Sequence, residues 1–254
     1  MTTWAILSKL QHKGMNKEIE MRYSKWFKYL VLPVAFGIVF VTASKLRAND
    51  LDKINVFCVM SENIEAEVKV ATVDLKVTEN VETFALKGYQ PHCTLYMTAY
   101  PKGRQKLVAT IVRRIANSTK EFPINTKGIE VAASDWLFMG IENNKELQSL
   151  CDEVANRLAF LRAKSDYVPE WAKSMPAKVE CIKKYGSPNV FSQFDPHLTL
   201  LAKSDGEMLR RFKTYCEDKI YNKPVRGKVV AIGYGLADRD GQIKEPIEVF
   251  PLAK

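Results

Sequence analysis

Pro91-His92-Cys93-Thr94-Leu95 and Pro196-His197-Leu198-Thr199-Leu200 are two copies of one pattern: proline, histidine, an apolar residue, threonine, leucine. The chain has 3 histidines in 254 residues, and the pattern takes up two of them. From average residue usage, roughly one histidine in twenty would be followed by any residue, Thr or Ser, and an apolar residue by chance. Two matches 105 positions apart are what an internal duplication of half a chain would leave. Each copy reads as a strand, in which side chains alternate between faces. In the first, His92, Thr94, Tyr96, Thr98 and Tyr100 share one face, and Cys93, Leu95, Met97 and Ala99 the other. In the second, His197, Thr199, Leu201 and Lys203 lie opposite Leu198, Leu200 and Ala202. The apolar faces are expected on a core, which leaves each histidine and threonine about 6.6 Å apart on a polar surface.

Working outward, a helix is predicted after each motif strand. Residues 105–117 carry Leu107, Ile111, Val112 and Ile115 on one stripe, and residues 205–220 follow the second motif with Asp205 placed to cap them. Residues 54–60 read as a first strand. Residues 64–77 favour a strand through the alternation of Val68 and Val70 around Lys69, with a helix as the alternative. Residues 123–126 read as a connection and 129–141 as strand-like, with Trp136, Leu137 and Phe138 structural. Residues 143–163 have Leu147, Leu150, Cys151, Val154, Leu158 and Leu161 at helical spacing, a stripe that belongs to a core. Residues 164–194 are irregular and aromatic, with a helix expected in 171–184; they form either a lid and base-stacking element or a packed connection. Residues 225–236 and 243–252 look like a closing hairpin around Arg239-Asp240-Gly241. Gly233-Tyr234-Gly235 lacks the third glycine and following helix of a dinucleotide fingerprint.

The formal charge of +9 suggests nucleic acid until it is divided along the chain. Residues 1–48 hold 8 Lys/Arg and 2 acids, so residues 49–254 carry only +3. No large nucleic-acid footprint is expected, whereas a small phosphorylated ligand fits. Residues 29–44 carry no charge, follow Lys25 and Lys28, and precede Leu46-Arg47-Ala48. Sixteen uncharged residues are short of the about 20 a membrane span needs, and suit a signal-peptide core. Residues 1–48 are therefore expected to be a leader, a signal peptide starting at Met21 or Met15 or else an uncleaved anchor. Residues 49–254 would be the folded domain, periplasmic or secreted, or tethered by 29–44. The 5 cysteines are scattered with no CxxC, which indicates buried small side chains and no structural zinc.

If the two halves face each other, two imidazoles and two hydroxyls converge on one groove. Imidazole titrates near neutrality, so one ring can accept a proton while the other donates one. Phosphodiester hydrolysis needs that pair, a base for water and an acid for the leaving oxygen. Threonine hydroxyls can hold the non-bridging oxygens. A metal reading lacks a third ligand on the same face. Serine and cysteine nucleophiles lack a further histidine in residues 49–254. The bland alternative is a pair of strand histidines satisfied by their neighbours.

At these residues the chain resembles the 2H phosphoesterase superfamily, the cyclic phosphodiesterase and 2′–5′ RNA ligase-like proteins, in a bacterial secreted-type form. His92-Cys93-Thr94-Leu95 and His197-Leu198-Thr199-Leu200 match its paired His-apolar-Thr/Ser-apolar signature, and Tyr185-Gly186-Ser187-Pro188-Asn189-Val190-Phe191 is also similar. The resemblance spans roughly residues 52–254. It implies an α+β, bilobed duplicated fold, with two antiparallel sheets lining a central cleft and helices outside. It implies metal-independent chemistry without a cofactor, on cyclic nucleotide phosphates, RNA ends or 2′–5′ linkages. The separation of 105 points to an insertion before the second motif. His92, His197, Thr94 and Thr199 are the expected catalytic residues; Tyr96, Lys203, Tyr185 and Phe191 are candidate substrate contacts. The expected partner is a small nucleotide or an RNA end, bound by a monomer that meets a membrane only if residues 1–48 stay uncleaved, and then only through them. The rival readings are a nucleotide- or RNA-end-binding module without catalysis and a metal-dependent hydrolase.

Overall fold

A computed structural model describes residues 48–254; the leader expectation lies almost wholly outside the described residues. No helix among them is long and apolar enough to cross a membrane. Seven strands alternate with five helices: β1 Leu51–Met60, α1 Glu62–Glu79, β2 Cys93–Pro101, α2 Gln105–Ser118, β3 Phe122–Val131, β4 Leu137–Ile141, α3 Lys145–Leu158, α4 Pro176–Tyr185, β5 His197–Leu201, α5 Gly206–Tyr215, β6 Arg226–Leu236 and β7 Glu248–Pro251. The class is α+β.

Every strand pairing in the sheet is antiparallel. The order is β1-β2-β5-β4-β3-β6-β7, and β1 also pairs with β6, so six strands close into a ring. The two halves are visible within it. One is β2-β1-β6-β7 and the other is β5-β4-β3-β6. β6 belongs to both: its first residues pair with Phe122–Asn125 of β3, and its later ones with β1 and β7. On the opposite side the halves meet where Cys93 pairs with Leu198. Helices α2 and α3 cover the sheet from the core side, where Val108, Val112, Ile115, Leu147, Val154 and Leu158 are buried with the strands' apolar residues.

Two helices start as their sequences dictate. The Asn144 side chain accepts from Leu147 N at 2.9 Å at the head of α3, and Asp205 accepts from Met208 N at 2.7 Å at the head of α5. Such caps satisfy backbone donors that have no partner within the helix. Residues 62–79 form a helix, not the strand that Val68 and Val70 suggest. Ile64, Val68, Ala71, Thr72 and Leu75 form its buried stripe, Glu62 and Glu65 sit in the first turn, and Asn80 closes it at φ 55. Val70 belongs to the exposed side. The 123–126 connection is part of β3, and the 129–141 stretch is a hairpin of β3 and β4.

The closing hairpin is looser than Asp-Gly implies. β7 begins at Glu248, and residues 237–247 form a loop laid against β1 and the first motif. Gly241 at φ +81 turns inside this loop, Asp238 Oδ1 accepts from Asp240 N and Gln242 N, and Gln90 N donates to Ile243 O at 3.0 Å. Gly233 and Gly235 of β6 clear space for what lies above them. A Cβ on Gly233 would stand 2.6 Å from the Phe57 ring, and one on Gly235 would stand 2.8 Å from Ile243.

Both motif strands carry a bulge at the same place. Thr94 pairs with Phe57 and Tyr96 with Val56, which leaves Leu95 as an extra residue. Thr199 pairs with Phe138 and Leu201 with Leu137, which leaves Leu200. An inserted residue shifts the alternation beyond it to the other face. Tyr96, Thr98 and Tyr100 therefore join Cys93 in the core, and Met97 takes the face of Thr94, contrary to simple alternation. The five cysteines are all buried free thiols.

Candidate active site

The single bridge between Cys93 and Leu198 sets the geometry. In an antiparallel pair, the residues before and after each partner stand opposite one another. His92 therefore lies across from Thr199, and His197 across from Thr94. Cys93 and Leu198 point into the core, so all four polar side chains emerge on the other face. One strand spacing across and two residues along separate the histidine Cα atoms by about 8 Å. The imidazoles and hydroxyls thus alternate around one small area, related by a local two-fold through the bridge.

Each imidazole is oriented the same way. Nδ1 of His92 lies 2.8 Å from Gln90 O, and Nδ1 of His197 lies 2.8 Å from Asp195 O. A carbonyl only accepts, so Nδ1 carries the proton and Nε2 is left with its lone pair. Each ring also packs on a phenylalanine from the neighbouring strand. Phe57 meets His92 with centroids 5.2 Å apart, and Phe138 stacks on His197 at 3.9 Å and 22°. These phenylalanines pair with Thr94 and Thr199 respectively, so they are the same position in the two halves. Phe138, expected to be structural, thus packs against a candidate site residue. The triplets Val56-Phe57-Cys58 and Leu137-Phe138-Met139 lie 81 positions apart against 105 for the motifs. The insertion therefore falls between β4 and β5, where α3 and α4 lie.

The halves differ in their electrostatics. His92 is buried, and desolvation pulls its pKa down to about 4; the nearby His197 adds to this, while the Gln90 carbonyl and Asp238 oppose it. His197 is half-buried, and desolvation also lowers its pKa. Asp195 and Glu130 oppose that shift, and Lys178 reinforces it. Glu130 reaches over Gly140, which pairs with His197: a Cβ on Gly140 would meet the Glu130 carboxylate. Lys53, on the site face of β1, donates to Asp238 O at 3.2 Å, and burial lowers its pKa. Among the described residues, no group of three or more His, Cys, Asp or Glu is placed to hold a metal ion.

Residues 85–240 match the model of the 2′-5′ RNA ligase superfamily, a stretch that contains both motifs. The chain belongs to the 2′-5′ RNA ligase superfamily. Phosphodiesterase-type chemistry in general goes with that membership. Among solved structures, TT0787 of Thermus thermophilus is similar over 79% of this chain and 97% of its own, at 15% identity and TM-score 0.48. Escherichia coli LigT in its apo form is similar over 81% of this chain and 99% of its own, at 11% identity and TM-score 0.45. LigT complexed with 3′-AMP covers 80% and 99% at 12% identity and TM-score 0.47. No curated protein matches the sequence.

The remaining sequence candidates of this superfamily member stand apart from the four central side chains. Tyr96 is buried on the far face, its hydroxyl donating to Tyr185 O, because of the bulge at Leu95. Tyr185 and Phe191 meet at a tilt of 41° with centroids 4.4 Å apart, and Gln148 of α3 donates to Phe191 O. Neither ring meets an imidazole. Lys203 lies beyond the end of β5 and is exposed. Sequence reading missed Phe57, Glu130, Lys53 and Asn55. The phenylalanines could have been found by extending the duplication to the strands beside the motifs. The other three have no such signal, because pairing register alone brings them in.

Proposed function

We propose that this protein is a metal-independent phosphodiesterase that hydrolyses a cyclic nucleotide phosphate, a terminal phosphodiester of RNA or a 2′–5′ linkage. The observation that carries the reading is the crossed arrangement of His92, Thr94, His197 and Thr199 around the Cys93–Leu198 bridge. A phosphate seated there meets a hydroxyl and an imidazole Nε2 from each half. Thr94 and Thr199 donate to the non-bridging oxygens, where negative charge grows as the phosphorus becomes five-coordinate. In-line displacement needs the entering and leaving oxygens on opposite sides of phosphorus, and this reading gives one imidazole to each of them.

His92, neutral at physiological pH through its burial, takes the proton of the attacking water at Nε2. His197 has Asp195 and Glu130 to favour its charged form, and protonates the leaving oxygen from Nε2. A bound phosphodiester monoanion raises the pKa of both rings, which draws His197 into its working range. The same groups in exchanged protonation states serve the reverse, bond-forming direction.

The test is hydrolysis of 2′,3′-cyclic AMP and of a 2′–5′ linked dinucleotide, with chelator present, by the wild type and by His92→Ala and His197→Ala. Turnover that survives chelation and falls by about 10²-fold or more in each variant is expected. Nucleotide binding without turnover in the wild type would replace the enzyme by a binding module, and loss of activity on chelation would replace it by a metal-dependent hydrolase.

A further inference from the structure

The local two-fold is broken at one residue. Asn55 lies two positions before Phe57 on β1 and is fully buried. Its Nδ2 stands 3.2 Å from His92 Nε2, 2.8 Å from Thr94 Oγ1 and 3.1 Å from Gly241 O. The matching position two before Phe138 is Trp136, which has no amide, and its ring packs near Phe138. The orientation of the Asn55 amide is fixed by Gly241 O, which only accepts and so must face the NH2 group. Its two hydrogens then serve three acceptors. Oδ1 is buried and unpartnered, so the amide is held by these contacts on the nitrogen side despite a cost on the oxygen side.

We propose that Asn55 is a positioning residue that makes the two histidine–threonine pairs unequal. It acts on both members of the first pair at once. By donating to Nε2 of His92 it holds that nitrogen unprotonated in the resting site, a bond the amide gives up when Nε2 takes a proton. By donating to Thr94 Oγ1 it occupies the hydroxyl's acceptor side and leaves the O–H free to point at a phosphate oxygen. Its third contact, Gly241 O, makes the 237–247 loop a clamp on the same amide. No side chain does this for His197 and Thr199 among the described residues. Asn55 also lies outside residues 85–240, the stretch matched to the superfamily.

Through the catalytic meaning of His92 this inference rests on the phosphodiesterase reading, but its main test does not need turnover. The groups that bear on the His92 ring are Asn55, the Gln90 carbonyl, Phe57, His197 and Asp238. Nitrogen-15 imidazole spectra of the full chain at pH 7 should show His92 Nε2 as an unprotonated nitrogen. A protonated Nε2 overturns the proposal with no substitution made. Titration of Asn55→Ala and Asn55→Asp should move the His92 midpoint upward, by a unit or more for the carboxylate, and leave the His197 midpoint nearly in place. An amide with a purely structural role would lower the melting temperature of these variants and leave the His92 midpoint unmoved, which overturns the proposal. Asn55→Ser, smaller and still able to donate, should restore the wild-type midpoint. In the hydrolysis assay, Asn55→Ala should lower kcat by about tenfold or more with KM little changed. A wild type without turnover but with the expected His92 titration would defeat the phosphodiesterase reading and leave the role of Asn55 standing; an active wild type whose His92 ignores Asn55 would do the reverse.

Discussion

The burial of His92 makes acid lability a quantitative matter. The free imidazole titrates near 6.5, and in the folded protein that of His92 is pulled down to about 4, chiefly by desolvation. The folded pKa lies below the unfolded one, so the unfolded state takes up the proton first as pH falls. Stability from this group is fully present above about 6.5 and is lost between 6.5 and about 4. At pH 4.5 an unfolded histidine is about 99% protonated and the folded one is mostly neutral. The difference amounts to about 2–3 kcal/mol of lost stability between pH 7.5 and 4.5. The perturbation is His92→Gln, which keeps a polar side chain and removes the titration. Urea denaturation of both proteins at both pH values gives the drop in unfolding free energy for each. The wild-type drop should exceed that of His92→Gln by about 2 kcal/mol or more. Equal drops would refute the argument and show that His92 is as easily protonated folded as unfolded.

Three more outcomes follow from the geometry. Phe138→Leu removes the face on which the His197 ring stacks; activity should fall by about tenfold while the urea midpoint changes little, read by kcat/KM beside denaturation. Gly233→Ala puts a methyl into the Phe57 ring, and the crowding should cost about 1–3 kcal/mol in unfolding free energy. Tyr96→Phe deletes a hydroxyl that donates to Tyr185 O on the core side; it should cost about 1 kcal/mol of stability and leave KM for a cyclic nucleotide unchanged. A raised KM would return Tyr96 to the groove.

The candidate site was legible where chemistry and local pattern coincide. His92, Thr94, His197 and Thr199 declare themselves because each pair sits two apart on a strand, and the Cys93–Leu198 bridge brings the pairs together. Asp205 was legible as a cap because a carboxylate before a helix has one obvious use. Tyr96 was misplaced because the bulge at Leu95 is set by the pairing with Val56 and Phe57, which a strand's own alternation cannot report. Residues 64–77 deceived for a related reason: two valines around a lysine fit period two, while the wider spacing of Ile64, Val68, Ala71 and Leu75 fits a helix. Arg239-Asp240-Gly241 turns as expected, but within a longer loop whose course depends on Asn55 and Gln90, residues remote in sequence.

The sharing of β6 between the halves has a mechanical meaning. Proteins that grip a ligand by swinging one lobe against the other rely on a few pliable residues between them. Here a continuous ladder crosses from one half to the other through β6, and a second tie at Cys93 and Leu198 lies on the opposite side. Swinging would tear one seam or the other, so the floor under His92, Thr94, His197 and Thr199 keeps a constant width. For the proposed phosphodiesterase, adjustment to substrates of different length then falls to the segments above that floor, residues 237–247 foremost, and selectivity becomes a property of loops on an unyielding base.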